Sequence, residues 1–185
     1  EATAYVIAQA RKHRCTISFD INYRAKLWTL EQAREALTPL ITGVDLLFCS
    51  YGDAGAVFGC VGDSMQRAQQ LRATFGVSVA AMTAGAEGVV GVDSSGPIGV
   101  PAMPLPVTVD RFGSGDAFAA GVVASYLRDT DAPGALRLGR NTLVAALRLG
   151  VAAATLKRTI PGDMLTANRS EVESLLAEQN NPPWR

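Results

Sequence analysis

The sequence is short of the residues that build metal centres and disulfide frameworks. It has one histidine, His13, and three cysteines, Cys15, Cys49 and Cys60, in 185 residues. The cysteines are dispersed and no C-x-x-C pair occurs, so neither a zinc site nor a disulfide scaffold fits. Free thiols in a reducing compartment follow, and with them a cytoplasmic location. An excess of one charge is also lacking: 17 basic residues face 17 acidic ones. Nucleic-acid binders and proteins of anionic membrane surfaces carry a basic excess, so neither partner is expected. No apolar run reaches bilayer length, and the longest candidate, residues 142–156, is interrupted by Arg148. No G-x-x-x-x-G-K-[ST] phosphate loop is present. The first residue is Glu and no signal peptide precedes it, which suggests a piece of something longer.

Aromatics are scarce at 6%, whereas glycine is frequent at 18 residues. Small residues at helix and sheet contacts are therefore expected. With 48% apolar and 18% charged residues, the composition is that of one globular domain with a real core.

Helical and strand periods alternate along the chain. Residues 3–12 read as a helix and 15–19 as a strand. Residues 30–40 carry Leu30, Ala33, Ala36, Leu37 and Leu40 at helical spacing behind a Thr29–Gln32 capping box. A strand at 44–48, a helical turn at 54–58 and a helix over 64–75 follow, the last capped by Asp63 or Ser64 and stopped by Gly76. A strand over 77–82 leads to a hairpin, 89–92 and 98–100, around Asp-Ser-Ser-Gly. Pro101, Pro104 and Pro106 give an extended segment. Helices are expected at 116–127, 135–138 and 143–156, and from a Ser170 cap to 178, before a frayed tail at 180–185. This order predicts an α/β domain, a mostly parallel sheet with helices on both faces.

The most informative stretch is Asp110-Arg-Phe-Gly113-Ser114-Gly115-Asp116-Ala-Phe118. Small residues sit where an extended chain turns into a helix, so the backbone can approach a ligand closely. The first N–H groups of a helix lack internal partners and, with the helix dipole, form an anion site suited to phosphate. A carboxylate beside a phosphate is repelled, unless Asp116 faces an attacking hydroxyl whose proton it accepts. Two other readings compete. Asp at a helix start is also an ordinary cap. Gly113 and Gly115 give G-x-G, but Phe118 stands where a dinucleotide fingerprint needs its third glycine, and a proline-rich segment precedes it.

Residues 110–118 resemble the C-terminal signature of the ribokinase-like (PfkB-type) carbohydrate kinases, close to D-T-x-G-A-G-D-x-F, with Arg111 for the usual Thr and Ser114 for Ala. The resemblance implies that Asp116 is the catalytic base and that the backbone of Gly113, Ser114, Gly115 and Asp116 forms the anion hole.

Three further loops match in family order. The run from Phe19 to Trp28 is similar to the F-D-x-N-Y-R-x-x-L-W loop of 2-keto-3-deoxygluconate kinases, which implies that Asn22 reaches the nucleotide phosphates and Arg24 the substrate. Ser50 and Asp53 stand at an N-x-x-E position tied to magnesium and phosphate, and any contact from Asp53 to magnesium would run through water. Thr83, Gly85 and Gly88 resemble the nucleotide loop, although the turn after a strand explains the glycines equally well. Residues 156–163 resemble an L-K-x-T-I-P-G-D ending, and Val151 stands where many relatives carry an Asn on the adenine side.

The resemblance implies an ATP- and Mg2+-dependent kinase for a sugar or sugar acid, with 2-keto-3-deoxygluconate the best substrate. It also implies that these residues are the nucleotide-binding part, without the N-terminal part and its lid, poorly active alone and able to form homo-oligomers. A non-catalytic sugar or nucleotide sensor on the same fold is the alternative, and a dinucleotide-dependent oxidoreductase a further one.

Overall fold

A computed structural model describes residues 1–128, 136 and 138–180. Its centre is a five-stranded sheet in chain order: β1 (Ser18–Asp20), β2 (Leu46–Ser50), β3 (Val79–Thr83), β4 (Val89–Asp93) and β5 (Gly96–Val100). β1, β2 and β3 are parallel neighbours, while β4 runs antiparallel to β3 and β5 antiparallel to β4. Only β4 is therefore reversed, and the sheet is mostly parallel as expected.

Parallel neighbours need crossovers. Helix α2 (Leu30–Ile41) joins β1 to β2, and α3 (Tyr51–Phe58) with α4 (Ser64–Phe75) joins β2 to β3. Together with α1 (Ala2–Lys12) they cover one face of the sheet, packing Ile7, Leu37, Val57 and Leu71 against Leu47, Cys49, Ala80 and Met82. The alternate residues Leu46, Phe48, Val79 and Ala81 face the opposite way. There they meet α5 (Ser114–Arg128), α6 (Arg140–Lys157) and α7 (Arg169–Asn180). Strands covered on both faces explain their near-continuous apolar runs.

Helix ends follow local chemistry. The Thr29 hydroxyl accepts the Gln32 N–H at 3.2 Å, and the Gln32 side chain accepts the Thr29 N–H at 2.9 Å. Asp63 and Gln66 repeat this box on α4, which stops at Gly76 in the left-handed region at φ +62°. At α7 the cap is Asn168 and not Ser170. The Asn168 side chain accepts the Glu171 N–H at 3.2 Å, the Glu171 carboxylate accepts the Asn168 N–H at 2.7 Å, and the Ser170 hydroxyl donates to Asn168.

The three parallel strands begin two or three residues later than the apolar runs predict. Ile17, Val44 and Val77 are buried while the chain is still approaching the ladder. Leu136 and Leu138 are not helical, so the helix expected at 135–138 does not form there. Ala135 and Arg137 lie outside the described residues, as do the last five of the expected tail. Among the described residues no helix is long and apolar enough to cross a membrane.

Candidate active site

The late start of the parallel strands carries polar residues to their C-terminal ends: Asp20 ends β1, Ser50 ends β2 and Thr83 ends β3. Ligands of parallel α/β sheets bind beyond this edge. Two adjoining clefts open there, of about 630 and about 330 Å³, and Thr83, Gly115 and Phe118 line both. The start of α5 thus stands at their junction.

The turn into α5 is held by Asp110. Its carboxylate accepts the Phe112 N–H at 2.9 Å and the Gly162 N–H at 3.0 Å. These bonds, that from Phe112 foremost, and the nearby Lys157 ammonium hold its pKa below the usual carboxylate range. The Lys157 side chain is fully buried and donates to the Ile160 carbonyl at 3.1 Å, which braces the turn that follows α6. Gly113 has φ +73°, and the Asp163 carbonyl fills the space where a β-carbon would stand. Only glycine meets both conditions.

Helix α5 starts at Ser114, two residues earlier than predicted. The Ser114 N–H and hydroxyl both donate to the Arg111 carbonyl, at 3.3 and 2.8 Å. The Ser114 amide is therefore occupied, which corrects the expectation of four open donors at 113–116. The N–H groups of Gly113, Gly115 and Asp116 have no acceptor among the described residues. The Asp116 side chain is exposed and makes no hydrogen bond or ion pair among them, so it is not spent as a cap.

The smaller cleft is lined by Asp20, Asn22, Arg24, Ser50 and Asp53. Burial pushes the Asp20 pKa up, and the Asp116 and Asp53 charges push it further, against the Asn22 N–H bond and Arg24. The three carboxylates thus share one space. Asn22 takes φ +41° and donates its N–H to Asp20 at 3.2 Å, a turn that asparagine tolerates. Arg24 donates to the Tyr23 carbonyl at 3.3 Å. Ser50, not Asp53, caps α3: its hydroxyl accepts the Asp53 N–H at 3.0 Å and leaves the Asp53 carboxylate to the cleft. Among the described residues no three His, Cys, Asp or Glu side chains gather as metal ligands.

The larger cleft is lined by Thr83, Gly85 and Gly88, by Val151, and by further residues the sequence reading did not single out. Gly88, at φ +103°, lies so close to the Val100–Ala102 backbone that a β-carbon would collide with it. Opposite stand Met103, Pro104 and Leu105, and on α6 Val151, Ala154, Thr155 and Arg158. The α6 set recurs at i, i+3, i+4 and i+7, a helical face visible in the sequence, although its small apolar residues look like core. Residues 101–105 have no period and gave no signal. The segment before Gly113 forms no strand, so the dinucleotide alternative lacks the strand its turn requires.

A mostly parallel sheet, with a glycine turn, open amides and an exposed aspartate at the head of the following helix, makes up a ribokinase-like fold. The chain belongs to the pfkB family of carbohydrate kinases, whose model matches residues 1–171. It is 32% identical over 176 residues to the 2-dehydro-3-deoxygalactonokinase of Haloferax volcanii, covering 95% of this chain and 52% of that protein. To the 2-dehydro-3-deoxygluconokinase of Escherichia coli K12 it is 28% identical over 143 residues, covering 74% and 45%. The solved 2-dehydro-3-deoxygluconokinase of Thermotoga maritima superposes with a TM-score of 0.75 at 24% identity, covering 92% and 53%. The chain spans about half the length of the curated relatives it matches.

Proposed function

We propose that this chain is the nucleotide-binding part of an ATP-dependent kinase acting on a hydroxyl of a 2-keto-3-deoxy sugar acid. The observation that carries the reading is the pair of open amides at Gly115 and Asp116, set where a large cleft meets one lined by carboxylates. In this reading the nucleotide occupies the larger cleft, along Thr83, Gly85 and Gly88, and the sugar acid approaches from the smaller one near Arg24.

Asp116 accepts the proton of the acceptor hydroxyl as its oxygen bonds to the terminal phosphorus. The bond to the bridging oxygen breaks, and ADP leaves with that electron pair. The amides of Gly113, Gly115 and Asp116 stabilise charge spreading over the transferring phosphoryl oxygens. Ser114 supports this site through its bond to Arg111 rather than by its own N–H. Asn22 shapes the loop that presents Arg24. Magnesium, brought with the nucleotide, supplies charge neutralisation on its phosphates. The oxygen donors of Asp53 and Asp20 suit such a hard ion, and contact through water fits the lack of a gathered ligand set. The similarity to 2-dehydro-3-deoxy sugar kinases supports the substrate class.

The test is Asp116→Asn, assayed for sugar phosphate formation from 2-keto-3-deoxygluconate and for ADP binding by calorimetry. Loss of a general base lowers turnover by about 10²–10⁴-fold, while ADP affinity changes little. Undiminished turnover would remove Asp116 from this role. Ligand binding with no transfer by the unaltered protein would favour a sensor.

A further inference from the structure

We propose that Arg111 and Arg158 form a guanidinium pair that grips the nucleotide's phosphates. The proposal rests on the reading of the larger cleft as a nucleotide site and adds its charge-bearing residues.

Charge is segregated between the two clefts. The smaller one carries Asp20, Asp53 and Arg24, whereas among the described residues the only ionisable side chains lining the larger one are Arg111 and Arg158. The two arginines arrive from different elements, one from the loop before α5 and one from the end of α6. Neither is neutralised by a carboxylate among the described residues. Arg111 is exposed and its guanidinium makes no hydrogen bond among them. Arg158 is half-buried and oriented, with Nη2 donating to the Thr108 hydroxyl at 2.7 Å. Its backbone carbonyl accepts the Val109 N–H at 2.8 Å, so this end of α6 is fixed to the chain that leads into the catalytic turn.

Two uncompensated guanidinium groups in one cleft repel each other until an anion lies between them. Each offers a planar fork of donors matched to phosphate oxygens. Ser114 and Gly115 line the same cleft as the arginines. The open amides therefore face the terminal phosphate and the arginines the inner ones. This arrangement divides recognition: the apolar wall of Met103, Leu105, Val151 and Ala154 serves the base, and the arginines serve the polyphosphate.

The test compares ADP, AMP and adenosine by calorimetry on this chain and on Arg111→Ala, Arg111→Lys, Arg158→Ala and Thr108→Val. Loss of one charge-assisted fork weakens ADP by about tenfold in Arg111→Ala, with AMP affected less and adenosine unchanged within about twofold. Arg111→Lys retains part of the ADP affinity. The salt dependence of ADP binding is shallower in both alanine variants than in the parent. Thr108→Val breaks the bond to Arg158 but keeps the guanidinium, and retains most ADP affinity. Equal losses for ADP and adenosine, or unchanged ADP affinity in Arg111→Ala, would overturn the proposal. A Thr108→Val loss equal to that of Arg158→Ala would reduce Arg158 to a structural part and break the pair. If the parent binds adenosine and ADP equally, only the arginine proposal falls. If it binds neither, the nucleotide reading falls as well.

Discussion

Asp20 and Asp110 are both carboxylates near the turn into α5, and their environments push them in opposite directions. Asp110 accepts two backbone N–H groups and lies near the Lys157 ammonium, so its charged form is favoured. A group with a lowered folded pKa adds stability above its ordinary value of 3.8, and that stability is lost as pH falls through the lower folded value. Asp20 is crowded by burial and by the charges of Asp116 and Asp53, so its neutral form is favoured. Its contribution is present below 3.8 and lost as pH rises through the raised value. Urea unfolding across pH 3 to 7 separates the two. Asp110→Asn is less stable than the parent at pH 7, and the gap narrows in acid. Asp20→Asn is at least as stable at pH 7, and its advantage vanishes in acid. Curves of the same sign for both variants would show that one of these environments is misread.

At the scale of elements, legibility followed the chemistry of the ends. Helix α4 was readable to the residue because Asp63, Gln66 and Gly76 mark both termini. The strands were readable as elements but not in register, because burial extends past the ladder at Ile17, Val44 and Val77. That offset made Asp20, Ser50 and Thr83 read as loop residues just past the strands, whereas each is the last residue of its strand. Gly113, Gly115 and Asp116 were legible because their spacing has few other uses. Of the wall along α6 only Val151 was singled out, through the resemblance, since Ala154 and Thr155 are equally good core residues. One packing feature sets the separation of two helices that line this cleft. Helices α5 and α6 touch through glycines: a β-carbon on Gly121 would stand 2.8 Å from Gly150 Cα, and one on Gly150 would stand 2.8 Å from the Phe118 carbonyl. Because α5 carries Asp116 and Arg158 follows directly on α6, their separation sets the distance between the proposed base and the proposed phosphate grip. Gly121→Ala must push backbone against backbone, with a loss of about 1–3 kcal/mol as for other overpacked contacts. ADP affinity falls with it. Denaturant midpoints equal to the parent's would mean that the helices are not held at this distance by their glycines.

Taken whole, the molecule leaves the residues of the proposed site on an open edge. Asp116 is exposed, Phe112 beside the catalytic turn is 77% exposed, and Leu27 in the loop after β1 is 80% exposed. β1 has a partner on one side only among the described residues. On α1, Tyr5 and Val6 also face outward. The chain spans about half the length of its curated relatives. Phosphoryl transfer to a sugar requires water to be kept from the same phosphorus, because a water molecule is as able as an alcohol to lose a proton to Asp116. Binding and transfer therefore separate in this chain. In the proposed reading the open amides and the larger cleft lie within this chain, so ADP and ATP are expected to bind, whereas nothing among the described residues closes over Asp116. The expected outcome with ATP, magnesium and 2-keto-3-deoxygluconate is slow turnover in which more ADP is released than sugar phosphate is formed. A coupled ADP assay run beside direct measurement of the sugar phosphate reads that ratio. Brisk transfer with one sugar phosphate per ADP would show that the open edge excludes water by itself, and the argument from exposure would then be wrong.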